Sequence, residues 1–264
     1  MTILFDVSCC QGSFKTFTDL KYIDKIKNKL KKKKPVRRLS SRDAYGIWYA
    51  FYDEQPDNAV LFLEEKLFTE MISHTEIKNK SILDIGCGTG RHWKEILDHK
   101  PLKLTGIDNS HEMTGKLKKK FKDAKVIVSD KIPVEEFADS VFDVIISTLT
   151  IGHIKDIDQY FKDWNRILKE NGDVIITDFH PEAFSAGMKR TFPNNNEVIE
   201  VENYLYDKEY LKSIFSELKW EIISTYEKKI DEEVKHLFEK QNFMSSYNKY
   251  FGTPLILGLH LRKI

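Results

Sequence analysis

The stretch Ser81-Ile-Leu-Asp-Ile-Gly-Cys-Gly-Thr-Gly-Arg91 decides the reading of this chain. Its apolar start predicts a short buried strand over 81–86, and its glycines predict a tight turn that opens a helix over 91–99. Gly86, Gly88 and Gly90 alternate with other residues, so the backbone can take positive φ and approach a ligand without Cβ clashes. A second strand is expected over 102–107, and it ends in Asp108, 18 residues beyond Gly90. Strand, glycine turn, helix, strand and terminal acid make the layout of a nucleoside-binding βαβ unit.

The spacing narrows the ligand. Dinucleotide sites use G-x-G-x-x-G, which opens a helix N-terminus onto a pyrophosphate. Here the spacing is G-x-G-x-G, and Asp84 stands two positions before Gly86, where its charge would repel a diphosphate. A carboxylate there suits a ligand bearing an ammonium group. On these residues the chain resembles the class I S-adenosylmethionine-dependent methyltransferases, whose first cofactor motif is matched by Leu83-Asp-Ile-Gly-Cys-Gly-Thr-Gly90.

The resemblance implies a site. Asp84, Gly86 and Gly88 should line the amino-acid end of S-adenosylmethionine, with Cys87 and Gly90 in the same turn. Asp108 should accept the ribose hydroxyls, with Asn109 and Met113 close by. Asp130 would accept from the adenine amino group, with Lys131 beside the base; the plain alternative for Asp130 is a turn or capping residue. Thr148 and Leu149, in Ser147-Thr-Leu-Thr-Ile-Gly-His153, would lie near the sulfonium and its methyl group. The segment Ala44-Tyr-Gly-Ile-Trp-Tyr-Ala-Phe-Tyr-Asp53 is similar to the aromatic lid of small-molecule members, which makes Tyr45, Tyr49 and Tyr52 candidates for substrate contact. An aromatic stripe at helical spacing is equally consistent with core packing.

From Ser81 onward, strands are expected at 81–86, 102–107, 125–129, 141–147 and 172–178, with helices at 91–99, 110–121 and 156–169 between them. Asn171-Gly172 reads as the stop of the last helix. Alternation of this kind implies a parallel sheet covered on both faces, with right-handed crossovers. Runs such as Val144-Ile-Ile146 and Val174-Ile-Ile176 fit strands buried on both sides. Together with the resemblance, which implies seven strands and an antiparallel C-terminal strand, this gives as the expected fold a Rossmann-like, doubly wound α/β domain with a mostly parallel sheet and N-terminal helices. The resemblance supplies the strand order 3-2-1-4-5-7-6.

Upstream, Ser40-Ser-Arg-Asp43 reads as a cap for a helix containing residues 44–52, and another helix should follow Asn58 to about Ser73. The segment 180–206 reads as irregular; a helix over 207–219, a strand over 220–228, a helical stretch near 231–249 and a final strand from Pro254 should follow. These boundaries give a lysine-rich extension at 1–40 and a methyltransferase domain at 41–264. Within the domain lie N-terminal lid helices at 41–75 and substrate-side insertions at 180–206 and 229–252.

The 264 residues are 41% hydrophobic and 31% charged, which suits a soluble globular domain. No apolar run approaches a membrane span. Cys9, Cys10 and Cys87 give neither a disulfide framework nor a metal-ligand spacing, so a cytoplasmic protein, monomeric or homodimeric, is expected. The net charge of +1 conceals an asymmetry: residues 1–40 hold 11 Lys/Arg against 3 Asp/Glu, so the rest of the chain is acidic. Lys31 to Lys34 with Arg37 and Arg38 could engage RNA or a membrane surface, or form a solvated helix end or loose tail, and an acidic main domain argues against a broad nucleic-acid footprint.

Methyl transfer from a sulfonium demands alignment and exclusion of water more than covalent chemistry. Where the acceptor is a hydroxyl or a protonated amine, a general base helps, and His153 and His180 are the candidates. Each could instead cap a neighbouring turn. Lys189 and Arg190 would meet an anionic acceptor, or else lie solvated on the surface. A small-molecule O-, N- or C-methyltransferase is the expectation. The alternatives are an RNA methyltransferase using the basic front, and a non-catalytic S-adenosylmethionine-binding protein.

Overall fold

The computed structural model describes residues 34–129 and 137–264. The readings for Asp130, Lys131 and residues 1–33 lie outside the described residues.

The chain begins with β1 (Val36–Leu39), then α1 (Ser41–Trp48) and α2 (Ala59–Ser73). Both helices start where the sequence offers a side-chain acceptor: Ser40 Oγ takes the Asp43 N–H, and Asn58 Oδ1 takes the Val60 and Leu61 N–H groups. The alternating core comprises β2 (Ser81–Ile85), α3 (Trp93–Asp98), β3 (Lys103–Asp108), α4 (His111–Lys120), β4 (Lys125–Val128), β5 (Phe142–Thr148), α5 (Ile157–Ile167) and β6 (Leu168–Phe179). Then come α6 (Pro181–Ser185), β7 (Thr191–Asn194), β8 (Glu197–Val201), α7 (Lys208–Glu217), β9 (Trp220–Lys229), α8 (Lys235–Lys240), α9 (Met244–Tyr250) and β10 (Pro254–Lys263).

Seven strands pair in the order β4-β3-β2-β5-β6-β10-β9, which is the expected 3-2-1-4-5-7-6. Only β10 runs against its neighbours β6 and β9. One face packs on α2 through Leu63, Leu67, Phe68 and Met71. The other packs on α5 and α7 through Phe161, Trp164, Ile167, Ile214 and Phe215. In α5, Ile157, Phe161, Trp164 and Ile167 recur at helical spacing and are all buried. Strand order reverses between β2 and β5, so the crevice of the fold opens at their carboxyl ends.

Four sequence expectations are corrected. Residues 180–206 are ordered: after α6, β7 and β8 form a hairpin turning through Asn195 at φ 48°, and β1 joins β8 in parallel to make a second, three-stranded sheet. The first helix ends at Trp48 rather than Tyr52, and residues 49–53 form a turn. The helix ahead of β6 stops at Ile167, four residues before Asn171, because Leu168 already pairs with Phe142. Asn171 then takes a left-handed conformation, φ 59°, and Gly172 leaves room for the Leu168 side chain, which a Cβ would approach to 2.7 Å. The stretch near 231–249 is two helices, parted at Asn242 with φ 59°.

Candidate functional site

A cavity of about 190 Å³ opens at the carboxyl ends of β2, β3 and β5. The glycine turn forms its floor. The Gly86 and Cys87 N–H groups both donate to Ile107 O, at 2.8 and 3.0 Å, which fixes the turn on β3. Gly86 has φ 75°, and a Cβ there would stand 2.0 Å from Thr150 Oγ1. At Gly88, φ 50°, a Cβ would meet only Gly86 O at 3.9 Å, so this backbone faces open space in the crevice. Gly90 instead turns toward the core, where Leu117 would lie 2.9 Å from a Cβ. Cys87 carries a free, buried thiol, and burial raises its pKa.

Two acids face the cavity. Asp84 is buried and accepts the Trp93 Nε1–H at 2.7 Å. Burial pushes its pKa up to about 7, the Trp93 hydrogen bond opposes the rise, and the charge of Asp108 adds to it. Asp108 takes the Gly88 N–H on Oδ2 and the Ser110 N–H on Oδ1, each at 2.8 Å. Its pKa is also raised by burial, against those hydrogen bonds. Each carboxylate retains acceptor capacity beyond these bonds. Asn109, Met113, Thr148 and Leu149 complete the lining on this side, and Leu149 holds φ 51°.

Aromatic side chains close the other side. Tyr45 and Tyr52 line the cavity, Tyr45 stacks on Trp48 at 5.7 Å, and Trp48 stacks on Phe192 of β7 at 4.6 Å. Tyr49, expected to join them, is 37% exposed and does not line the cavity. It caps the C-terminus of α1, its N–H donating to Tyr45 O.

His153 lines the cavity in a fixed tautomer. Its Nδ1 lies 2.9 Å from Glu202 O, a carbonyl that only accepts, so Nδ1 carries the hydrogen. Nε2 therefore accepts, from Arg190 Nη1 at 2.8 Å, and the Tyr45 hydroxyl lies 3.1 Å away. Burial and the Arg190 charge push the His153 pKa down to about 3. Such an imidazole is neutral at neutral pH, with both ring nitrogens engaged inside the protein.

His180, Lys189 and Arg190 are also corrected, since none of them lines the cavity. His180 is fully buried; its Nδ1 accepts the Glu182 N–H to cap α6, and Nε2 faces Glu227 at 3.2 Å. Lys189 is on the surface, paired with Glu200 at 2.8 Å. Arg190 is buried, forms an ion pair with Asp178 and donates to Leu149 O at 2.8 Å. It braces the wall of the cavity from behind.

Several lining residues lie beyond the set expected from the sequence. Thr89 and Arg91 lie within the motif itself, and Ser41, His92, Thr150 and Lys155 also line the cavity. Below them Glu64 of α2, fully buried, receives Arg91, His92 Nε2 at 3.1 Å and Thr177 Oγ1 at 2.6 Å. Burial alone would raise the Glu64 carboxyl, but Arg91 and His92 outweigh it and hold the group well below the usual range.

Acids at either end, an open glycine backbone and apolar Met113 and Leu149 fit a ligand with a cationic amino group and vicinal hydroxyls. Residues 83–176 match a family model described as a methyltransferase domain. The chain is 28% identical over 118 residues to a malonyl-[acyl-carrier protein] O-methyltransferase of Legionella pneumophila, covering 44% of this chain and 42% of the relative. It is 26% identical over 199 residues to phosphoethanolamine N-methyltransferase 3 of Arabidopsis thaliana, covering 72% of this chain and 40% of the relative. The chain thus spans less than half the length of these relatives. Among solved structures, an S-adenosylmethionine-dependent methyltransferase from Mesorhizobium loti superposes with a TM-score of 0.57 at 14% identity, covering 78% of this chain and all of that one. At that identity the likeness is one of fold.

Proposed function

We propose that the chain is a class I S-adenosylmethionine-dependent methyltransferase, an enzyme moving the methyl group of S-adenosylmethionine to a small-molecule O, N or C acceptor; the methyltransferase-domain match over residues 83–176 and the O-methylating relative support this reading. The observation that carries this reading is the facing of Asp84 and Asp108 across the open backbone at Gly88. When bound, the cofactor supplies an electrophilic methyl group on a cationic sulfur. Asp84, once ionised, holds the amino group, and Asp108 holds the ribose hydroxyls. Met113 and Leu149 exclude water from the same space, and Tyr45 and Tyr52 cover the acceptor side.

His153 orients Tyr45 and takes no proton. With Nε2 engaged by Arg190, the site favours an acceptor whose nucleophilic atom arrives unprotonated, which needs no base. The O- and N-methylating relatives support a metabolite acceptor. The free thiol of Cys87 is in keeping with a reducing cytoplasm.

Calorimetric titration with S-adenosylhomocysteine tests the cofactor half of the proposal. Incubation with methyl-labelled S-adenosylmethionine and a cell extract tests the other half, with label expected in the small-molecule fraction. Label in RNA or protein, or cofactor binding without any transfer, would overturn the acceptor assignment.

A further inference from the structure

The acidic balance of residues 41–264 conceals a basic end. The strands β2, β3 and β4 start side by side, with Ser81 opposite Lys103 and Thr105 opposite Lys125. Hydrogen bonds from the Leu102 N–H to Lys80 O and from the Asn79 N–H to Lys100 O gather the neighbouring loops there. The last turn of α4 ends at the same place and feeds β4 through Lys122. Lys100, Lys103, Lys118, Lys119, Lys122 and Lys125 are thus exposed together, and none forms an ion pair with a described residue. Of the acids nearby, Asp98 is paired with Lys94 at 2.7 Å and Asp143 with Lys169 at 2.9 Å, and Glu76 and Asp123 are outnumbered by the lysines.

Within this patch stands an apolar tip. Leu102, between Lys100 and Lys103, is 72% exposed, and Leu97 of α3 is 42% exposed. The tip is held rigidly. Lys100 has φ 56°, its N–H donates to Leu97 O at 2.9 Å, and the Leu102 N–H is bound to Lys80 O at 2.9 Å. A leucine kept in solvent on a fixed turn between exposed Lys100 and Lys103 matches an interface that is anionic outside and apolar just beneath.

We propose that this end of the sheet docks on an anionic phospholipid bilayer. Its chemistry distinguishes a bilayer from a nucleic acid. The six cations are all lysines, compact charges suited to diffuse headgroup attraction, with no arginine to fork onto phosphate or bases and no exposed aromatic ring to stack on them. The attraction falls away within a Debye length of the surface, so docking is salt-sensitive. No helix among the described residues is long and apolar enough to cross a membrane, and the docking is peripheral. The cavity opens at the opposite ends of the strands, so bound protein keeps its crevice toward solution.

The test is sedimentation of the full chain with phosphatidylcholine vesicles, with and without phosphatidylserine. Partition is expected only with phosphatidylserine and should vanish in high salt. K103E/K119E/K122E/K125E should weaken it by at least about tenfold, and L102S should weaken it while leaving the charge intact. Thermal melting and S-adenosylhomocysteine binding of the variants should match the wild type, because the substitutions lie away from the crevice. No partition into phosphatidylserine vesicles, partition indifferent to these substitutions, or preferred binding to a single-stranded RNA probe would overturn the proposal. Concentration-dependent self-association abolished by the same charge reversals would overturn it too, by assigning the patch to a second copy of the chain.

Discussion

Asp53 accepts a hydrogen bond from Thr89 Oγ1 at 2.6 Å, and this bond fastens the turn after α1 to the tip of the glycine turn. Lys120 reaches the other carboxylate oxygen at 3.2 Å, and Lys116 donates to Ala50 O at 3.0 Å, so the lid turn is held from two sides. Thr89 lines the cavity while Asp53 does not. Asp53→Ala should therefore weaken S-adenosylhomocysteine binding by about tenfold, the scale of one hydrogen bond to a charged group. Adding Thr89→Val should cost little more. Calorimetry on the four-member cycle checks this, and additive losses would show that the two residues act separately.

Removing Asp108 should be more severe. Asp108→Ala deletes the acceptor proposed for the ribose and frees the Gly88 N–H, so affinity for S-adenosylhomocysteine should fall by about two orders of magnitude or more. The circular dichroism spectrum should be retained, because the carboxylate lies at the end of β3 and outside its ladder. Unchanged affinity would remove Asp108 from the site.

The raised pKa of Asp84 sets a pH dependence. Below about pH 7 the carboxyl is protonated in the ligand-free protein, and a cationic ligand favours the ionised form. Affinity should therefore rise with pH through about 7 and then level off, with proton release on binding that Asp84→Asn abolishes. Stability runs the other way. An acid whose folded pKa lies above its unfolded value near 4 binds extra protons when folded, so the ligand-free protein loses stability as pH rises from about 4 to 7. Denaturation at several pH values, and calorimetry in buffers of different ionisation enthalpy, measure the two trends.

His153 should contribute no limb to a rate profile between pH 5 and 8, since it is already neutral there with its pKa near 3. Arg190→Met would remove the donor at Nε2 and the charge behind it, and the imidazole should then titrate closer to its ordinary value near 6.5. Nitrogen-15 NMR of the ring in both proteins decides this. A wild-type pKa above 6 would restore the general-base role.

Glu64→Ala should be strongly destabilising. It strips the half-buried Arg91 and the buried His92 of their shared acceptor, and uncompensated buried charge costs about 3–5 kcal/mol. Urea unfolding monitored by tryptophan fluorescence gives the value; a loss below about 1 kcal/mol would show that water replaces the carboxylate.

How far each feature could be read in advance follows the distance over which its cause acts. Gly86 and Gly88 could be named because a tight turn between two strands is a local demand that few residues meet, and Asp84 and Asp108 because the strand–turn–strand layout and the family resemblance place acids there. Tyr45 and Tyr52 were visible as an aromatic spacing. Glu64 was not, because its partners Arg91 and Thr177 are 27 and 113 residues away and nothing beside it marks it as anything but a helix residue. Arg190 was misread from its neighbour: Lys189 and Arg190 look alike in sequence, but only Arg190 is drawn inward onto Asp178. The 191–201 hairpin was signalled by Asn194-Asn-Asn196 between apolar runs, the kind of turn chemistry that outranks a lack of helical period. Strand β1 had no such signal, since its partner lies more than 150 residues downstream.

That long separation bears on biosynthesis. A chain leaves the ribosome N-terminus first, and Val36–Leu39 can find its parallel neighbour only after Glu197–Val201 has emerged. Phe192, the ring that backs Trp48, arrives just before it. Until then the helix bearing Tyr45 lacks the surface it rests on, so a nascent chain holds all the residues of its Asp84–Asp108 floor well before it holds those that back its roof.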